Sequence, residues 1–287
     1  MDRHGAFHFV TGQTEVIPSP LLPPDSLGEK FQPADNSVIS GLEAYEFGFG
    51  TAFFDMDNDA DQDLYWLGSL GSRGEGPNGN IAISFGRMLQ NTGDKSFKDV
   101  TVESRTIDAL AVDYSLLDSE HPSFNAPKQR LGAMYHENGK GVAVGDLNAD
   151  GFIDVIGTNS NGETFNRDGG LEVASGPLFV WMNGGGDNNW ISFRLQGRMA
   201  VDGTGSNADG IGAKVSVFHN SEGKELITQM QEVMGSSSFL SMSSLDSHFG
   251  VGGATSVNVA VEWPSGKTTI IENLSVNELY EIFEATD

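Results

Sequence analysis

Two runs of oxygen-bearing side chains are the part of this sequence best equipped for chemistry. The first is DMDNDADQD, with Asp55, Asp57, Asp59, Asp61 and Asp63; the second is DLNADGFID, with Asp146, Asn148, Asp150 and Asp154. Both put oxygen side chains at loop positions 1, 3, 5 and 9. Calcium takes about six to eight oxygen ligands from carboxylates, carbonyls and water, and a tight loop that turns its odd positions inward supplies such a set. The backbone carbonyl at position 7, on Asp61 or Phe152, completes it. Carboxylates crowded into one loop repel one another strongly without a cation between them. Magnesium suits the pattern less, because it demands octahedral geometry and retains its waters. A solvated acidic turn would account for either run alone. Two runs with matched spacing, each between apolar segments, point instead to two calcium sites. Gly151 at position 6 permits the sharp turn, whereas Ala60 at that position predicts a strained or differently shaped first loop. An EF-hand is excluded: position 12 is Trp66 or Gly157 rather than Glu, and the flanks read as strands.

The segments that must position these loops are short and rich in β-branched and aromatic residues, such as TAFFD, DLYWLG, GVAVGD, DVIGT, LFVWM and SVNVAVEW. No competing 3.6-residue apolar stripe runs through them, so the reading is all-β. In the last of these, Val257, Val259, Val261 and Trp263 alternate with polar or small residues and share one face. Three regions follow. Residues 1–40 carry Pro18, Pro20, Pro23, Pro24 and Pro33 and read as an extended arm in which only Phe7–Val10 could form a strand. That arm either packs on its own domain or reaches a neighbouring subunit. Residues 41–188 hold two units of the same order: apolar strand, Asp-rich loop, apolar strand, gap, strand, Asn-Gly turn. Residues 189–287 lack Asp loops and read as a small β-sandwich-like domain of hairpins, with turns at Asn220–Gly223 and Pro264–Gly266.

Composition narrows the function classes. Sixteen basic residues against 40 acidic ones give a net charge of −24, which disfavours nucleic acid and anionic membrane surfaces. With no cysteine, disulfides, thiol catalysis and Cys-based zinc sites are excluded. No apolar stretch approaches the ~20 residues of a membrane span. The opening MDRHGAFHFV shows no signal peptide, which counts against export only if Met1 is the true start.

The blocks FGFGTAFFDMDNDADQDLYW and KGVAVGDLNADGFIDVIGTN resemble the FG-GAP or VCBS repeats of integrin-type β-propellers. Asn207–Ala213 (NADGIGA), Glu232–Gly235 (EVMG), His248–Gly252 (HFGVG) and Val261–Gly266 (VEWPSG), preceded by Asn189-Trp190 and Leu195–Gly197, resemble the ASPIC/UnbV domain. The combination is similar to bacterial relatives of cartilage acidic protein. The resemblance implies calcium at Asp55, Asp57, Asp59, Asp63, Asp146, Asn148, Asp150 and Asp154, an extracellular or cell-surface location, and binding or adhesion. A closed propeller needs at least four blades, and only two loops are visible here. The expected repeat region is therefore a partial or shortened propeller whose exposed edges need cover from the arm, the C-terminal domain or another subunit.

Other chemistry is poorly supported. There is no G-x-S-x-G elbow, no phosphate-binding glycine loop followed by Lys-Ser or Lys-Thr, and no HExxH. GSSSF at Gly235–Phe239 reads as a turn and His248 as structural. Trp66, Trp181 and Trp190 read as core fillers rather than sugar platforms. The leading expectation is a calcium-stabilised extracellular module that binds protein or glycan partners, with no catalytic residues. A structural subunit of a surface filament, contacting its neighbours through the arm, is the alternative. A glycan-processing enzyme with two convergent carboxylates is the third.

Overall fold

The structure, a computed structural model, describes residues 48–73, 80–83, 86–93, 96–108, 138–165, 171–221 and 224–286. The N-terminal arm lies outside them. The described residues are all-β: they contain no α-helix, only a 3-10 turn at Arg198–Ala200, and no helix long and apolar enough to cross a membrane.

The first unit begins with β1 (Gly48–Phe54) and β2 (Asp63–Gly68), joined by the first Asp loop, and inserts a hairpin, β3 (Leu70–Arg73) and β4 (Asn80–Ile83). It then returns with β5 (Arg87–Asn91) and β6 (Phe97–Asp99). The resulting sheet is a meander, β1-β2-β5-β6, antiparallel throughout. The second unit repeats the plan. The second Asp loop joins β7 (Gly139–Gly145) and β8 (Asp154–Asn159), a hairpin of β9 (Gly162–Phe165) and β10 (Leu171–Ala174) follows, and β11 (Leu178–Trp181) completes a sheet ordered β11-β8-β7. The gap expected in each unit is thus a hairpin in both. Ala52, Phe54, Tyr65, Leu67 and Met88 of the first unit share one buried core with Val142, Ile153 and Val155 of the second. The first strands of the two units pack closely: a Cβ on Gly50 would fall 2.8 Å from the Lys140 carbonyl oxygen. No closed ring of sheets forms among the described residues.

From β12 (Asn189–Gln196) onward a second core appears. β13 (Lys214–Ser221) and β14 (Lys224–Glu232) form a hairpin, and β15 (Ser247–Gly252), β16 (Ser256–Glu262), β17 (Thr268–Ser275) and β18 (Glu278–Phe283) complete two sheets, β15-β12-β18 and β14-β13-β16-β17. The period-two pattern of β16 turns Val257, Val259 and Val261 inward, against Ile191 and Phe193 of β12 and Ile282 of β18. Full burial of each such side chain contributes about 1.5–3 kcal/mol. Trp263 anchors the turn after β16: its indole N–H donates to Thr269 Oγ1 at 2.9 Å, and Gly266, at φ 89°, donates to the Trp263 carbonyl. β18 runs parallel to β12, a pairing no hairpin reading contains.

In the serine-rich segment between β14 and β15 the turn lies at Ser238–Ser241, bridged between those two residues, toward the end of the Gly235–Phe239 stretch read as a turn, and the segment also reaches the other core. Thr51 N–H donates to Ser238 Oγ (2.8 Å), the Ser241 hydroxyl donates to the Val142 carbonyl (2.6 Å), and Ser244 N–H donates to the Val144 carbonyl (2.9 Å). Phe239 stacks on Phe49 at 4.9 Å. This strap covers the outer edges of β1 and β7, which would otherwise present unpaired backbone groups.

Candidate metal centre

Both Asp loops are built by the same side-chain-to-backbone hydrogen bonds, position by position. The position-1 carboxylate accepts the N–H groups of positions 5 and 6: Asp59 and Ala60 donate to Asp55 at 3.1 and 2.8 Å, Asp150 and Gly151 to Asp146 at 3.2 and 2.8 Å. The position-5 carboxylate accepts the N–H of position 7, Asp61 to Asp59 and Phe152 to Asp150, each at 2.9 Å. The closing Asp accepts the N–H of position 2, Met56 to Asp63 at 2.9 Å and Leu147 to Asp154 at 2.8 Å. It also accepts an N–H from the unit's third strand or just beyond, Asn91 to Asp63 at 2.8 Å and Asn183 to Asp154 at 2.7 Å.

Backbone dihedrals repeat as well. Positions 4 and 6 are left-handed in both loops: Asn58 (φ 59°) and Ala60 (82°), Ala149 (59°) and Gly151 (86°). The first loop therefore has the same shape as the second, and Ala60 bears the strain that Gly151 avoids, about 1–2 kcal/mol for an L-residue. Asp55, Asp59, Asp63, Asp146, Asp150 and Asp154 are thus held by the loops' own amides, with further lone pairs left for a cation.

The surroundings differ. In the first loop one carboxylate oxygen from each of Asp55, Asp57 and Asp63 lies within 4.8 Å of the others, and Asp55 and Asp63 are 2% and 1% exposed. Two full charges at that separation repel by about 3–4 kcal/mol at an effective dielectric constant of about 20. Burial, with the charges of Asp59 and Asp57 adding, pushes Asp55 up to about 8 despite the two amides that favour its ionised form. Burial likewise pushes Asp63 well above the usual carboxylate range. Burial and the charges of Asp57 and Asp61 raise Asp59 to about 6. Gln90 Nε2 donates to Asp57 Oδ2 at 2.9 Å. The second loop lies nearer solvent. Asn148 and Asp150 are exposed and bonded to each other, Asn148 Nδ2 donating to Asp150 Oδ2 at 2.8 Å, and Asp146 is half-buried. Asp154 alone is fully buried, and burial raises it. Asn148 stands where the first loop has Asp57, so no third carboxylate completes a tight acidic cluster there. Phe152 is buried, its ring against Gly185 and Gly186.

Residues that the spacing argument did not single out tie the first loop into the molecule. Asn58, fully buried, donates through Nδ2 to the Gly151 carbonyl of the second loop at 3.0 Å. Its Oδ1 therefore faces His248 Nε2, also at 3.0 Å, and that nitrogen must carry the proton. Burial lowers His248 to about 4, so the ring is neutral at pH 7. It stacks on Trp190 at 5.7 Å, and a Cβ on Gly151 would collide with the Trp190 indole. Gly252 N–H donates to the Asn58 carbonyl at 2.9 Å, and a Cβ on Gly250 would sit 2.1 Å from Asp55 Oδ2. Asn183 donates to the carbonyls of Met56 and Ile153, and Asn188 to that of Asp57. The Asn-Gly signal hid part of this set. Asn91 and Asn183 hold equivalent places, each side chain donating to the position-8 carbonyl of its loop and accepting from the glycine two residues on.

Beyond the loops, Trp181 packs edge-on against Tyr65 at 5.4 Å. The family described as ASPIC and UnbV matches residues 203–287 of the chain. The matched span covers β13 to β18 and includes His248 and Gly250, which cap the first loop. The central strand β12 lies outside it. No curated protein matches the chain.

Proposed function

We propose that the chain is a calcium-stabilised extracellular binding or adhesion module, with FG-GAP/VCBS-like repeats whose ions fix how the C-terminal ASPIC/UnbV-like domain docks. In this reading Asp55, Asp57, Asp59 and Asp63, with the Asp61 carbonyl, hold one ion. Asp146, Asn148, Asp150 and Asp154, with the Phe152 carbonyl, hold another. The observation that carries it is the convergence of three carboxylates, two of them buried, within 4.8 Å: burying such a set is costly unless a cation compensates it. The donor set is all oxygen, as a hard divalent ion requires. The ion would supply positive charge and rigidity. Asn58, His248 and Gly250 would transmit that rigidity to the sandwich, whose surface would engage a protein or glycan.

The test is thermal unfolding after exhaustive chelation, with calcium or magnesium then restored. Calcium at 100 times its dissociation constant adds about 2.7 kcal/mol if it binds only the folded state. The expected result is a clear rise in Tm with calcium and a smaller one with magnesium. Identical melting with chelator and with calcium would remove the proposal.

A further inference from the structure

The two Asp loops touch through one side chain. Asn58 occupies position 4 of the first loop, between Asp57 and Asp59, and Gly151 occupies position 6 of the second, between Asp150 and Phe152. Asn58 Nδ2 donates to the Gly151 carbonyl at 3.0 Å, and Asn58 is 0% exposed, so water does not compete for this bond. Neither partner is free to turn away. Asn58 is left-handed at φ 59°, a conformation asparagine tolerates better than most residues, and its Oδ1 accepts the His248 Nε2 proton at 3.0 Å. Gly151 donates its own N–H to Asp146 at 2.8 Å. Its Cα lies so close to the Trp190 indole that a Cβ would fall 1.8 Å from Nε1. His248 in turn stacks on Trp190. Asn58, Gly151, Trp190 and His248 therefore form a closed ring drawn from the two loops, β12 and β15. At position 4 of the second loop stands Ala149, equally left-handed at φ 59°, whose methyl offers no matching donor in return.

We propose that Asn58 is a positioning residue that makes the two loops fill with calcium cooperatively. The inference rests on the calcium reading above and adds to it an energetic link between the sites. An ion held by Asp57 and Asp59 would fix the asparagine between them. One held by Asp150 and the Phe152 carbonyl would fix the Gly151 carbonyl. Whichever ion binds first orders one end of the hydrogen bond and, through it, the other. The second ion then meets a loop that has less conformational freedom left to lose. The coupling is reciprocal. Most of each ion's effect stays in its own loop, and the hydrogen bond passes on the remainder.

Calcium titration against a chelating indicator at pH 7.5 tests it. Asp55→Asn leaves only the second loop to bind, and Asp146→Asn/Asp150→Asn, which keeps hydrogen-bond acceptors in place, leaves only the first. The product of the two dissociation constants in wild type should be smaller than the product of the two single-loop constants by roughly fivefold or more, the lower end of measured couplings. With Asn58→Ala added to all three proteins, the two products should agree to within about twofold, as independent sites do. Should the alanine variants fail to fold, Asn58→Asp keeps an acceptor for His248 while removing the donor to Gly151, and the same agreement is expected. Equal products in wild type, or a difference that survives the Asn58 change, would overturn the proposal while leaving two calcium sites in place. No calcium binding in any of the proteins would overturn the calcium reading itself, and this inference with it.

Discussion

The loops Asp55–Asp63 and Asp146–Asp154 share their internal hydrogen bonds almost atom for atom, yet Asp55, Asn58 and Asp63 of one are walled in, whereas Asn148 and Asp150 of the other face water. The first is roofed by β15, with Gly250 on Asp55 and His248 on Asn58. It is floored by the second loop through Asn58 and Asn183. The second loop keeps Asn148 and Asp150 exposed. Loop geometry is thus a local property of the sequence, whereas what the loop does to the rest of the molecule depends on where the fold places it. In the first loop the acidic cost is carried in a buried interdomain seam, so an ion held there would be coupled to docking. An ion in the second loop would stabilise chiefly its own turn.

The largest expected effect comes from closing that seam by force. Gly250→Ala would drive a methyl into Asp55 and the Asn58 backbone and should destabilise the chain by about 3 kcal/mol, the upper range for overpacking. Gly253→Ala, where nothing lies within 4 Å, should stay within about 0.5 kcal/mol of wild type. Urea unfolding of both separates a seam effect from a general intolerance of the strand end. Next in size, Asp55→Ala strands two amides in a buried site and should cost about 2–3 kcal/mol, against about 1 kcal/mol for Asp146→Ala in the wetter loop. Equal losses would erase the distinction drawn between the loops.

Protons sharpen the same comparison. In the metal-free protein Asp55 lies near 8, well above its unfolded value of about 4. Its contribution is therefore fully present below pH 4 and is lost as pH rises through 8. Calcium needs the ionised form, so its stabilisation should grow over the same interval. The gap in Tm between calcium-loaded and chelated protein should widen from pH 5 to pH 8, and Asp55→Asn should flatten it. The smallest effect concerns strain: Ala60→Gly should stabilise by about 1 kcal/mol by relieving a left-handed alanine. The change has no counterpart in the second loop, where glycine already occupies the position.

Much of this was readable along the chain because it is local. The alternation in Val257–Trp263, the oxygen spacing and the repeated Asn-x-Gly after the third strand each act within a few residues. The parallel pairing of β12 with β18, the serine strap across β1 and β7, and the meeting of His248 with Asn58 join residues far apart in sequence. Spacing carries no record of such contacts. His248 read as structural from its neighbours alone; which structure it supports became visible only when β15 was placed over the loop. Ala60 shows the reverse case. The expected strain is present, because five hydrogen bonds impose the loop's shape whatever residue sits at position 6.

The most direct test of a calcium-coupled seam is calorimetric titration of chelated protein with calcium at pH 7.5, on wild type and on Asp55→Asn. Two ions per chain are expected for wild type, and one for the variant with circular dichroism unchanged, together with a loss of hydrogen-exchange protection in β15. Absence of binding heat in wild type, or a variant that still takes two ions with β15 equally protected, would contradict the account.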